Sequence, residues 1–189
     1  MENPVERKFH LREFKTISHA ISTYEDLPLL LKHIVEGLTR TFKIKGCCVL
    51  LYDEREKQLF CMASYGISNG YLTKGPIFVD NQQSSFFTGE PVFVNNLQND
   101  PRIQYPETAA KEGFVALASF PIKYRDTIVG LTRFYHDHSI TLHEDDVDSI
   151  CILAQHLGLV IENNGMRNCI EEVRAAFENL PLRLLKGLQ

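Results

Sequence analysis

The stretch from Gly89 to Tyr135, GEPVFVNNLQNDPRIQYPETAAKEGFVALASFPIKYRDTIVGLTRFY, constrains the fold most. Two apolar runs, FVALASFPI and TIVGLTRFYHD, are separated by the short turn YRD, which is hairpin patterning. Pro121 near the end of the first run implies an edge position or a bulge, because proline has no N–H for a ladder. Gly130 inside the second implies a neighbour packed against bare backbone. Upstream, VFVN reads as a shorter strand. The polar segment between it and the hairpin is the natural place for a small molecule. There, Asp100-Pro101 reads as a helix start, an acceptor cap followed by Pro at the first helical position. A second short helix is expected from Pro106 through Glu112, with Gly113 as its left-handed cap.

The rest of the chain frames this piece. Phe9, Leu11, Phe14, Ile17 and Ile21 recur at near-helical spacing and predict a helix from Glu6 to Ser22. Thr23 with Asp26 resembles a capping box with Asp in place of Glu. It precedes a helix from Leu27 to Phe42, apolar along Leu27, Leu30, Leu31, Ile34, Val35 and Leu38. CCVLLYD is apolar on both faces and predicts a central, doubly covered strand. QLFCMASYG predicts its partner. The connection Ile67 to Ser85 is long, polar and glycine-rich, as lids and binding segments are. A short helix is expected in SSFFTGEP, with Ser84 as its cap. Thr141-Leu142-His143-Glu144 reads as a capping box opening a long helix. Its seam, Val147, Ile150, Ala154, Leu157 and Ile161, breaks at Asn163-Asn164-Gly165. A second seam runs through Met166, Ile170, Val173, Phe177, Leu180 and Leu184, and the offset of five predicts a bend or a register shift. Pro181 after Asn179 ends this helix or starts a terminal turn.

Composition narrows the class. The net charge of −4 over 189 residues leaves no electrostatic footprint for nucleic acid or an anionic membrane. No apolar run approaches the roughly 18 residues a membrane span needs. The charged N-terminus is unlike a signal peptide, so a cytoplasmic location is expected. Five cysteines, Cys47, Cys48, Cys61, Cys151 and Cys169, are an odd number set mostly in apolar runs. They read as free, buried thiols. Cys47 and Cys48 must point to opposite faces of their strand. Five strands without regular βα alternation predict an antiparallel α+β domain, with terminal helices on one sheet face and the polar loops on the other.

The ordered set FKIKGCCVLLYD, MASYGIS, TGEPVFVNNLQNDPR, EGFVALASFPI, IVGLTRFY and EDDVDSICILAQHLGLVIEN resembles a GAF domain from Leu11 to Asn163. The resemblance implies a profilin-like antiparallel sheet of five or six strands with a ligand pocket opposite the terminal helices. It also implies a sensory or regulatory module, commonly dimeric and commonly joined to an output domain. Three parts are expected: residues 1–22 as an N-terminal dimer helix, 23–163 as the GAF domain and 164–189 as a helical extension. The cyclic-nucleotide subtype carries an Asn-Lys pair followed by Phe-x-x-x-Asp-Glu. Here Asn95 is followed by Asn96, and the second motif does not follow. The bilin and methionine sulfoxide reductase subtypes need pocket cysteines, and none lies between Cys61 and Cys151. The haem subtype needs an axial histidine, and none lies between His33 and His136. No cofactor and no catalytic constellation are expected.

The candidate site is therefore a pocket. Ser84, Ser85, Phe86, Phe87 and Thr88 are its expected wall. Asn95, Asn96, Asp100, Arg102 and Tyr105 are its rim, and Glu112, Phe114, Ala116 and Ser119 its floor. Apolar body and sparse polar groups are what a small-molecule site requires. Arg102 would anchor a carboxylate or phosphate with its planar fork. The competing reading makes Asn, Asp and Pro turn formers, and Arg102 a surface ion-pair partner. In a third reading Phe86, Phe87 and Phe114 fill the pocket themselves. His136-Asp137-His138 places two imidazoles on one strand face, but reads as surface histidines and not as a metal site. The seam beyond Met166 has no partner within the domain and is expected to pair with a second copy.

Overall fold

The computed structural model describes residues 5–178. Two helices come first, α1 (Leu11–Thr23) and α2 (Leu27–Phe42), then strands β1 (Gly46–Asp53) and β2 (Gln58–Tyr65). A short helix α3 (Asn69–Leu72) and a two-residue strand β3 (Ile77–Phe78) follow. Helix α4 (Ser85–Thr88), strand β4 (Val92–Val94) and helix α5 (Pro106–Glu112) lead into the hairpin β5 (Ala116–Tyr124) and β6 (Thr127–His136). Helix α6 (Glu144–Glu178) closes the described chain. The six strands form one antiparallel sheet in the order β3-β2-β1-β6-β5-β4. The expected α+β architecture is what the chain adopts.

Side-chain alternation gives the sheet two different faces. Cys47, Val49, Ala118, Phe120, Ile122 and Phe134 join the buried faces of α1, α2 and α6 in one core. Cys48, Leu50, Leu59, Leu117, Leu131 and Tyr135 join Tyr71, Leu97, Ala109 and Phe114 in another. The adjacent cysteines thus part company as their strand requires. Gly130 has the reason expected of it: a Cβ there would collide with the Leu50 carbonyl of β1. Pro121 lies beyond Ser119, the last β5 residue paired with β4, so its missing N–H costs no ladder bond to that strand. The bulge falls one residue later, between Ile122 and Lys123.

Several local expectations are corrected. The long connection carries elements the sequence did not predict, α3 and the edge strand β3, which pairs Ile77 with Leu59 and Phe78 with Gln58. Helix α1 starts at Leu11 and not Glu6. The preceding backbone is held extended by Asp146 of α6, whose carboxylate accepts from Lys8 N (2.9 Å) and Phe9 N (2.8 Å). Asp26 itself caps α2, accepting from Leu29 N at 2.7 Å, while Thr23 is the last residue of α1. Asp100-Pro101 opens a turn and no helix. Helix α6 begins after His143, whose ring nitrogen accepts from Asp145 N at 3.1 Å, so Thr141 is not its cap.

Helix α6 runs uninterrupted through Asn163-Asn164-Gly165. Its two seams are two faces of one helix: five residues turn it by about 140°. Ile150, Leu153, Ala154, Leu157 and Ile161 are buried on the sheet. Ile152 (44% exposed), Leu159 (49%), Met166 (48%) and Val173 (50%) recur every seven residues on an outward face. The outward seam therefore begins about three turns before the expected break. The side chain of Phe177, and residues Leu180, Pro181 and Leu184, lie outside the described residues.

The Asp146 clamp is testable. Replacing a buried acceptor of two N–H donors orphans both, at about 1–3 kcal/mol each. Asp146→Ala should lower the melting temperature by roughly 5–15 °C at this chain length. A calorimetric scan unchanged from wild type would refute the clamp.

Candidate functional site

The cleft lies on the sheet face away from the long helices. Its floor comes from neighbouring strands. Arg133 of β6 stands opposite Cys48 of β1 on one side and Ser119 of β5 on the other. Its roof is the segment from Ser68 to Asn81, stitched to the segment around α5 by side chains. Glu112 accepts from Ser68 N (2.8 Å) and Ser68 Oγ (2.6 Å). Tyr105 Oη donates to the Pro76 carbonyl (2.7 Å), and Gln104 brackets Phe78 through both its backbone groups. The space has two lobes, about 60 Å³ and about 220 Å³, that share Leu59, Tyr71, Lys74, Ile77 and Tyr135. A dry 150 Å³ cavity holds a benzene, so the larger lobe suits a small metabolite.

Several expected site residues do meet at this cleft. Phe86, Arg102 and Tyr105 line it. Ser85 and Ser119 share a buried hydrogen bond of 2.7 Å beside Arg133. Phe114 lies under the floor, its ring stacked on Tyr135 at 4.7 Å. Others do not reach it. Ala116 is buried in the core on the helix side of the sheet. Phe87 is 52% exposed, so it is not a filler of the pocket. Asn95 Oδ1 accepts from Ile140 N (3.0 Å), holding the approach to α6. Asn96 caps its own turn by accepting from Asn99 N, and Thr88 Oγ1 donates back to the Ser84 carbonyl. Glu112 serves the roof bond already described.

Arg102 is not a free anchor. Its Nε and Nη2 both donate to the Asp100 carboxylate, at 2.8 and 2.6 Å. The same bonds hold the Asp100 carboxyl below its ordinary value. The cleft cations without a carboxylate partner are Lys74 and Arg133, both missed in the sequence. Lys74 Nζ sits 3.8 Å from the Tyr71 ring centroid and donates to the Tyr71 carbonyl. Burial lowers its pKa. The buried Arg133 Nε has no hydrogen-bond partner, nor has the buried hydroxyl of Ser84, which does not cap α4 with its side chain. Counting by twos along TIVGLTRFY would have put Leu131, Arg133 and Tyr135 on one face; the sign was there.

The cleft also holds two thiols. The expectation of a thiol-free pocket considered only the chain after Cys61. Cys48 and Cys61, on strands earlier in the chain, line the larger lobe. The expectation of buried cysteines holds for Cys47 and Cys48 only; Cys61 and Cys169 are exposed and Cys151 is half-buried. The neighbouring Cys48 thiol brings the Cys61 pKa down to about 7 against the opposing effect of burial, and the Lys74 charge helps; Cys61 Sγ itself donates to the Ala63 carbonyl at 3.5 Å. Cys48 shifts the other way, held protonated by the neighbouring Cys61 and by burial. Burial raises Tyr71 to about 12.

His136, Asp137 and His138 bring their ligand atoms within 4.8 Å. The Asp137 carboxylate already bonds both imidazoles at 2.8 Å. This cluster lies at the end of β6, and none of its residues lines the cleft.

Fold and cleft together define a small α+β domain with a ligand-sized space on one sheet face. The model of the GAF domain family matches residues 25–162, and the chain belongs to that family of regulatory and sensory domains. No curated protein matches the chain. Solved structures share the fold at low identity. The GAF domain of a phosphoenolpyruvate-protein phosphotransferase from Acinetobacter is 18% identical, with TM-score 0.71 over 84% of this chain and 96% of that one. Its counterpart from Coxiella burnetii is 17% identical, with TM-score 0.75 over the same shares, 84% and 96%. Free methionine-R-sulfoxide reductase from Neisseria meningitidis, solved with its substrate, is 14% identical, with TM-score 0.67 over 88% and 99%. Among the described residues no helix is long and apolar enough to cross a membrane.

Cys61 offers a direct pH test. Its alkylation by iodoacetamide should rise with pH and level off above about 7, because the thiolate is the nucleophile. Exposed Cys169 in the same protein is the reference. A Cys61 midpoint at or above that of Cys169 would refute the arrangement.

Proposed function

We propose that the domain is a sensory module that binds a small anionic ligand in the cleft and reports through helix-mediated dimers. One observation carries the ligand reading. The unpaired Arg133 Nε and Ser84 hydroxyl line the same cleft as Lys74, with no carboxylate among the lining side chains. Buried donors left unpaired are costly, and an anion accepting from both cations would satisfy them. Arg102 and Tyr105 then act at the rim. Ser85, Ser119 and Phe114 support the floor, and Thr88, Asn96 and Glu112 hold the walls. The ligand's remaining surface would rest on Leu59, Ile77 and Tyr135.

The outward seam of α6 supports the dimer. Four exposed apolar residues at seven-residue spacing match a coiled-coil stripe, and a second copy presents the same stripe. In this reading residues 1–22 and 164–189 are the dimer-forming flanks of a GAF domain at 23–163. The setting would be cytoplasmic bacterial signal transduction or transcription regulation, with an output domain as partner. The GAF domains of phosphotransferases, similar in fold, support such a modular arrangement.

Screening small carboxylates, phosphates and sulfonates by thermal shift should find a stabiliser worth about 3 kcal/mol at a hundredfold excess over its Kd. Arg133→Met and Lys74→Met should each weaken that ligand at least tenfold, while Arg102→Met should matter less. A ligand indifferent to both cleft cations would overturn the reading.

The seam has its own test. Sedimentation of the full chain should show a dimer, and Met166→Glu with Val173→Glu should give monomers that retain the wild-type melting profile of the domain. A wild-type monomer at high micromolar concentration would refute the helix-mediated dimer.

A further inference from the structure

The thiol pair carries an inference beyond ligand binding. Cys48 and Cys61 sit on neighbouring strands and face the same lobe as Lys74. Cys61 is exposed to solvent, and Cys48 is only 2% exposed. A solvent-reachable thiol beside a second thiol and a cation is the setting in which redox-sensing cysteines occur. The other two thiols that solvent reaches, Cys151 and Cys169, are on α6, away from the cleft.

We propose that Cys61 is a modification site at which a small hydroperoxide converts the thiol to a sulfenic acid inside the cleft. The Cys61 thiolate attacks the hydrogen-bearing oxygen of ROOH. An S–O bond forms as the O–O bond breaks, and the sulfur gives up two electrons. The departing alkoxide takes a proton from the Lys74 ammonium, which water restores, leaving Cys61 sulfenic acid and ROH. Burial lowers the Lys74 pKa, which makes it a better acid for that step. Cys48 is a positioning residue: its thiol lines the same lobe as the Cys61 sulfur and favours the thiolate.

The register argues that oxidation stops there. Cys48 is paired with Ser64, and Cys61 with Leu50. A β-bulge between Val49 and Leu50 lies between these two pairs, and even regular diagonal neighbours are about 7–8 Å apart. That is at or beyond the reach of a disulfide without backbone movement. The sulfenic acid is thus retained in the lobe, where Lys74 can hold its oxygen. The step does not depend on the anionic ligand proposed above, since Arg133 and Ser84 take no part in it.

The test treats the full chain with hydrogen peroxide at pH 7 in the presence of dimedone and maps adducts by peptide mass spectrometry. Cys61 should label several-fold faster than Cys169, which serves as the internal reference. In Lys74→Met and Cys48→Ala the Cys61 rate should fall about three- to tenfold, as its thiolate fraction drops and part of the loss is regained in nucleophilicity. The Cys169 rate should stay fixed in both variants and so reports an intact fold. Equal labelling of Cys61 and Cys169 would overturn the proposal. So would a Cys61 rate unchanged in both variants, or a Cys48–Cys61 disulfide in place of the adduct.

Discussion

The structure depends on the antiparallel pairing of β1 with β6 at the centre of the sheet. That pairing is possible because Gly130 has no side chain where the Leu50 carbonyl approaches. Its register sets Cys47 against Phe134 and Cys48 against Arg133. Every second residue then belongs to the helix-side core, and the rest to the cleft. A slip of one residue would send Arg133 and Tyr135 under the helices and Phe134 into the cleft. The chemistry of the cleft is therefore a consequence of strand register, and no loop need be placed to create it.

This dependence explains what could be read from the sequence. Patterns carried by one element were legible. Helix α2 has the bounds that its apolar stripe and Pro28 imply. The β5–β6 hairpin and the Gly113 cap of α5, at φ 72°, also follow from local chemistry. The two-residue strand β3 was not legible, because it exists only as a pairing with β2. The same holds for the cleft. Arg102 looked like the anchor, but its nearest acceptor is Asp100, two residues away, and that local pair wins. Cys48, Cys61, Lys74 and Arg133 are scattered along the chain and converge only through the sheet order. Ala116 was misplaced although alternation within FVALASFPI could have placed it: three residues from Ser119, it takes the opposite face of the strand.

The flanking helices are tied to the domain unequally. The family match ends at residue 162, while α6 continues to Glu178. Its first turns are anchored twice. Asp146 holds the backbone of Lys8 and Phe9, and Gly158 lets the helix lie against the Lys123 carbonyl, where a Cβ would collide. The outward seam shares those anchored turns at Ile152 and Leu159, then continues through Met166 and Val173. A partner seated on that seam would therefore be in register with the domain.

Strand β6 joins these two regions. Arg133 faces the cleft, and the next residue, Phe134, faces the helices. The Phe134 ring contacts Phe42 of α2 at 5.4 Å, and Phe42 stacks on Phe9 at 5.8 Å. Phe9 is the residue whose backbone N–H is held by Asp146 at the start of α6. A close-packed interior transmits a displacement because it has few voids to absorb one. On the proposed reading, a ligand that draws Arg133 toward the cleft moves Phe134 with it, and the ring stack carries that movement to the Asp146 clamp. The route is continuous packing from cleft to helix start, and it needs no change in the sheet hydrogen bonds. Its strength depends on whether the two positions of the stack differ in energy, because a ligand shifts only an equilibrium whose states it binds unequally.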